Sequence, residues 1–228
     1  MANPLIVVIG AGPGIGTAVA RRFGQAGYDC ALVARDPAKL ESLGRQLQSE
    51  GLTTGWSPVD VTDSDALARA ITAFARQSGE VKHVHFNPSA YTDKDALELT
   101  ADELLADVRL GVASLLTAVQ AARPFMQPGA RVTATGGGSA DKPSKRAASL
   151  GVQKAALRNL VTALDARLAA DEIRACSLTV AGTIRPGTAF DPALIAEAIY
   201  TASQSESEFW EAEVRFDGRS EHSSTRAD

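Results

Sequence analysis

The run LIVVIG at residues 5–10 is a continuous stretch of apolar, largely β-branched side chains that ends in glycine and passes directly into AGPGIGTAVARRFGQAG. A strand with no polar alternation is buried on both faces, which requires a parallel sheet with helices above and below it. The segment that follows carries Ile15, Val19 and Phe23 at helical spacing. Strand, glycine turn and helix in this order open a βαβ unit and restrict the chain to an α/β architecture.

The alternation continues to the C-terminal end. DCALVA at 29–34 reads as a second strand, and Asp36-Pro37 supplies an acidic cap and a first-turn proline for a helix. A strand near 53–59, a helix over 63–77 and the strand VKHVHFN at 81–87 follow. Thr100-Ala-Asp-Glu103 has the form of a capping box before a long helix whose apolar stripe is Leu104, Val108, Val112, Leu115 and Val119. ARVTATG at 130–136, a helix over 147–170, IRACSLTV at 173–180, a helix begun by Asp191-Pro192 and EAEVRFDG at 211–218 complete the series. Seven strands alternating with helices predict a doubly wound, Rossmann-type sandwich around a mostly parallel sheet. With 228 residues, 45% of them hydrophobic, the chain can bury one full core, and the expected organisation is a single domain over 1–218 with a polar tail over 219–228.

Charge excludes some partners. Twenty-seven acidic against 23 basic residues give a net charge of -4, with no basic footprint for nucleic acid and no cationic face for a membrane surface. The longest wholly apolar run, Pro4 to Gly10, is far short of a bilayer span and lacks the charged start of a signal peptide, so a cytoplasmic protein is expected. Cys30 and Cys176 each sit inside a strand-like run, where free thiols behave as small buried hydrophobes.

Gly10, Gly12, Gly14 and Gly16, with Ile15 among them, lie where a side chain would keep a phosphate from backbone N–H groups and the helix N-terminus. This context predicts a dinucleotide site. The end of the second strand then reads the adenosine ribose, an acid selecting NAD and an arginine accepting the NADP phosphate. Both types occur, as Arg35 and Asp36; since Asp36 precedes Pro37 and serves as a helix cap, Arg35 is left to face the nucleotide. NADP(H) is the favoured cofactor and NAD(H) the alternative, with a solvated strand-end charge as the plainer reading of Arg35. Asp60, at the end of the third strand, stands where the adenine amino group would be met, or acts only as a loop or cap residue, and Val61 beside it is counted with the cofactor-binding residues.

With Gly10, Gly14 and Gly16 spaced G-x-x-x-G-x-G, Asp60 in VDVTD, FNPSA after the fourth strand and Lys154 in QKAALRNLVTALDARLA, the chain resembles the short-chain dehydrogenase/reductase family along nearly its whole length. The resemblance implies a seven-stranded Rossmann sheet, NAD(P) binding and carbonyl reduction or alcohol oxidation. It assigns Lys154 to the nicotinamide ribose and Asn87 to the backbone beside the cofactor. It also exposes departures. Four residues before Lys154 the family places a tyrosine as general acid, and here stands Leu150; the carbonyl-polarising serine becomes Gly137, and the helix asparagine becomes Arg109. The usual N-N-A-G is Asn87-Pro88-Ser89-Ala90, and of P-G-x-x-x-T after the sixth strand only Gly182 is kept, in a segment shorter than the family's substrate lid. A lost general acid forfeits about 10² to 10⁴ in rate.

Two residues qualify as substitutes, Ser139 after three glycines and Tyr91 after NPSA, each with a plain reading as a turn serine and a surface tyrosine; Ser149 ranks below both. His83 and His85 share one face of their strand, without an acidic or thiol neighbour at ligand spacing, and read as solvated or packed strand residues. The resulting expectation is an NADP(H)-binding oxidoreductase of the short-chain type with a degenerate tetrad and an unknown small-molecule carbonyl or alcohol substrate. The alternative is a non-catalytic dinucleotide-binding or interaction protein. The family habit of pairing through the helices near 100–125 and 147–170 implies a homodimer or homotetramer.

Overall fold

The computed structural model describes residues 3–219. Of the polar tail expected over 219–228, all but Arg219 lies outside the described residues. The strands are β1 (Leu5–Ile9), β2 (Asp29–Ala34), β3 (Thr54–Pro58), β4 (His83–Phe86), β5 (Arg131–Gly137), β6 (Arg174–Val180) and β7 (Glu213–Phe216). They form one seven-stranded sheet in the order β3-β2-β1-β4-β5-β6-β7, every pairing parallel. The chain winds outward to β3 and then returns to place β4 against β1, so the strand order reverses between these two. Ligands of such sheets bind at the carboxyl ends of the strands where the order reverses.

The helices are α1 (Ile15–Gln25), α2 (Pro37–Ser49), α3 (Ser64–Ser78), α4 (Ala101–Val108), α5 (Ser114–Ala122), α6 (Ala148–Leu168) and α7 (Pro192–Ser203). Their starts follow from local chemistry. Asp36, Asp63 and Asp191 accept N–H groups of the first turns, and Thr100 with Glu103 completes a capping box. The helix expected as one long element after Thr100 is interrupted: Arg109–Ala113 form a π-turn between α4 and α5. Its apolar stripe survives the inserted residue, with Val112, Leu115 and Val119 buried.

Alternate β1 residues supply two cores. Leu5, Val7 and Ile9 face the layer containing Val84, Phe86, Leu115 and Leu157, while Ile6 and Val8 face Phe23, Leu32, Leu40 and Ile199. Each such side chain stabilises the fold by about 1.5–3 kcal/mol on full burial. Within the helical run Ala101–Phe125 an 18-residue window has a mean hydropathy of 1.4, long and apolar enough to cross a membrane by composition, which the shorter Pro4–Gly10 run did not disclose. In the fold, α5 packs against α3 and β4, and α4 against α6. Cys30 and Cys176 are free and buried, and burial pushes both thiols up to about 12.

His83 and His85 lie inside the sheet rather than at its edge. His83 Nε2 and His85 Nδ1 share the Thr133 hydroxyl at 2.8 and 2.9 Å, and His85 Nε2 meets Thr135 Oγ1 at 3.4 Å. Burial holds both imidazoles neutral, His83 well below its ordinary value and His85 down to about 3. The unfolded chain takes up protons near pH 6.5 that the folded chain refuses. Stability should therefore be full above that pH and fall as the pH drops towards about 3, the value to which His85 is lowered. Each imidazole adds a slope of up to about 1.4 kcal/mol per pH unit. Urea unfolding of His85→Gln between pH 7 and pH 4 is expected to show a shallower decline than the unaltered chain; identical slopes would contradict this account.

Candidate active site at the sheet edge

Gly10 ends β1 in the left-handed region, at φ +80°, and its N–H, with that of Ala11, bonds Val33 O at 2.8 and 3.1 Å. The turn is thereby pinned to β2. A side chain at Gly10 would sit 2.8 Å from Pro88 N, and one at Gly16 would sit 2.5 Å from Gly10 O. Only bare backbone lets α1 and the loop after β4 approach the turn from two sides. Thr17 closes it by donating both its N–H and its hydroxyl to Gly12 O at 3.1 and 2.7 Å. Gly14 occupies the cap position of α1 at φ +124° with no side chain to cap it, and the N–H groups of Ile15 and Gly16 have no hydrogen-bond partner among the described residues. Unsatisfied N–H groups at a helix N-terminus attract anions.

A crevice of about 900 Å³ opens from Gly12 and Gly14 past Arg35 and Lys39 to Pro186 and Asp191. Arg35 is exposed at its rim and has no ion-pair partner among the described residues. Asp36 is spent locally, accepting Lys39 N at 3.0 Å as the cap of α2. Asn87 Nδ2 donates to Gly10 O at 3.1 Å, so the loop after β4 grips the turn from beneath.

The remaining predicted residues lie outside this crevice. Asp60 is exposed, and one of its oxygens already accepts Thr62 N and Thr62 Oγ1 at 2.9 and 2.8 Å, bonds that hold its carboxyl below the usual range. Val61 is only 6% exposed and belongs to the core, so its side chain is not offered to a ligand. Arg109 opens the π-turn and borders a separate hollow of about 430 Å³ with Asp63 and Asp65.

Lys154 is 6% exposed on α6, and its ammonium donates to Thr135 O on β5 at 2.8 Å. Burial lowers it to about 8. The resemblance gave this amine to a ribose; in the structure one of its three N–H groups is held by the sheet and two are left. Its stem runs past Gly137, whose added Cβ would lie 3.5 Å from Lys154 Cγ and 3.7 Å from Ser139 Oγ. Ser139 thus borders the niche of the replaced serine from the one-turn segment Gly138–Ala140. Leu150 is half-buried one helical turn before Lys154. Tyr91 is 68% exposed, a surface-loop residue, and Ser149 is wholly buried with a hydroxyl that has no partner among the described residues. Gln153, beside the lysine, was not singled out from sequence, although a polar side chain on the buried face of a helix was the available signal; it bonds the loop after β4 through Ala90.

Comparison with known proteins identifies the family and the fold. Residues 4–189 match the short chain dehydrogenase family, and the chain belongs to it. An uncharacterised oxidoreductase of Mycobacterium tuberculosis is 30% identical over 82% of this chain and 58% of its own length. The chain spans about half the length of several curated relatives it matches. Among solved structures, a dehydrogenase/reductase from Sinorhizobium meliloti superposes with a TM-score of 0.87 at 19% identity, covering 96% of this chain and 95% of the other. A short chain dehydrogenase from Burkholderia cenocepacia in complex with NADP gives 0.85 at 20% identity, covering 94% and 96%. These likenesses establish the fold.

Because the added methyl of Gly16→Ala would meet backbone, the α1 start must move away from Gly10. A cost of about 1–3 kcal/mol is expected, read by calorimetry as a drop in Tm of about 2–10 °C for a domain of this size. An unchanged Tm would mean that this contact is looser than described.

Proposed function

We propose that the protein is an oxidoreductase of the short-chain type that binds a nicotinamide dinucleotide, NADP(H) in preference to NAD(H), and acts on a small carbonyl or alcohol. The observation that carries this reading is the uncapped start of α1 facing a crevice with the unpaired Arg35 at its rim. The free N–H groups of Ile15 and Gly16 suit the pyrophosphate, and the guanidinium suits a 2′-phosphate. When bound, the nucleotide supplies or accepts a hydride.

The chain's own part is positioning. Asn87 fixes the turn through Gly10 O, and the two remaining N–H groups of Lys154 serve the nicotinamide ribose. Ser139 is preferred to Tyr91 as the hydroxyl that polarises a carbonyl, because its oxygen borders the Gly137 niche whereas Tyr91 stands in solvent. Leu150 offers no proton, so the reaction with ordinary carbonyls is slow. The non-catalytic alternative makes the same binding prediction but no turnover. Exposed Leu105 and Leu116 on α4 and α5 and Val152 on α6 support pairing of copies as a homodimer or homotetramer, and the two free thiols suit a reducing cytoplasm.

In a fluorescence titration NADPH should bind the unaltered chain, and Arg35→Ala should weaken NADPH at least tenfold, as expected for losing about 1.4 kcal/mol or more of a charge-assisted contact, while NADH changes little. Equal losses for the two nucleotides would overturn the role of Arg35. On a panel of carbonyls, Leu150→Tyr should raise turnover by about 10² or more. No turnover from either form, despite tight NADPH binding, would favour the non-catalytic reading.

A further inference from the structure

Gln153 is wholly buried on α6, where a primary amide has to satisfy one acceptor and two donor sites. A single residue of a distant loop meets the acceptor and one of the two donors: Oε1 accepts Ala90 N at 3.1 Å, and Nε2 donates to Ala90 O at 3.5 Å. No backbone group pairs with Ala90 among the described residues. The amide therefore takes the place of a neighbouring strand. Room for it comes from the π-turn, where a side chain at Gly111 would lie 2.0 Å from Gln153 Oε1. Such turns concentrate at functional sites.

What Gln153 holds leads to the glycine turn in three residues. Ala90 ends the segment Asn87-Pro88-Ser89-Ala90, whose asparagine donates to Gly10 O and whose proline nitrogen is the nearest atom to the missing Gly10 side chain. The neighbouring Lys154 meanwhile bonds the end of β5. Two successive residues of α6 thus fix the loop after β4 and the edge of β5 at once.

We propose that Gln153 is a positioning residue: by pairing with Ala90 it holds the Asn87–Ala90 loop against the glycine turn and so sets nucleotide affinity. This rests on the nucleotide-binding reading above. The test combines amide hydrogen exchange with NADPH titration for the full chain, Gln153→Met and Gly111→Ala. Methionine keeps the length of the side chain without its hydrogen bonds. Gly111→Ala keeps the glutamine in the chain but displaces its side chain, since the added methyl would lie 2.0 Å from Oε1, and serves if the methionine variant fails to fold.

In both variants exchange at Ser89 and Ala90 should accelerate while β1 and β2 stay protected, and NADPH should bind about tenfold more weakly, the effect of leaving one buried polar group unpaired. Gln153→Met should be non-additive with Asn87→Ala, which acts through the same loop, and additive with Arg35→Ala, which does not. Variants that bind NADPH like the unaltered chain, or a cycle additive with Asn87→Ala, would overturn the proposal alone. An unaltered chain that binds neither NADPH nor NADH would remove the nucleotide reading itself, and this proposal with it.

Discussion

The closest approach in the site is backbone on backbone, where the first turn of α1 rests on the carbonyl of Gly10. Gly16 brings the helix so near that a single methyl would stand 2.5 Å from that oxygen, and Asn87 donates to the same atom from the other side. One carbonyl therefore joins β1, α1 and the loop after β4, at the place where the strand order reverses. Everything offered to a ligand is arranged around this junction: the free N–H groups of Ile15 and Gly16, the crevice and Arg35.

Buried polar groups elsewhere are satisfied in ways that keep the sheet edge fixed. The two imidazoles of β4 are bonded through the hydroxyls of Thr133 and Thr135, and the carbonyl of Thr135 in turn receives the Lys154 ammonium. An unpaired polar group in such a place costs about 1–3 kcal/mol. The lysine is therefore a structural residue as well as a candidate for the ribose, and its two uncommitted N–H groups reconcile the roles. Among the described residues Ser149 is the exception, a buried hydroxyl without a partner, for which the structure offers no explanation.

Much of the fold was legible because its determinants are local. Continuous apolar strands declared a two-sided parallel sheet, and Asp36, Thr100 with Glu103, and Asp191 marked helix starts because a cap acts on the next three residues. The glycine turn was legible for the same reason. What escaped depends on contacts remote in sequence. The π-turn at Arg109–Ala113 faces Gln153, which is also 63 residues from its partner Ala90, and neither pattern shows in a window of one helix. Asp60 bonds its near neighbour Thr62 through one carboxylate oxygen, and the side chain of Val61 joins the core. The burial of Lys154 likewise could not be read from a lysine in an apolar run, where a side chain reaching solvent is the ordinary outcome.

The central claim is that a dinucleotide rests on the bare start of α1 and not elsewhere on the sheet edge. Hydrogen exchange with and without saturating NADPH tests it most directly. The account predicts new protection over residues 12–17 and beside Arg35; saturable binding that leaves those amides unchanged and protects another edge of the sheet would contradict it.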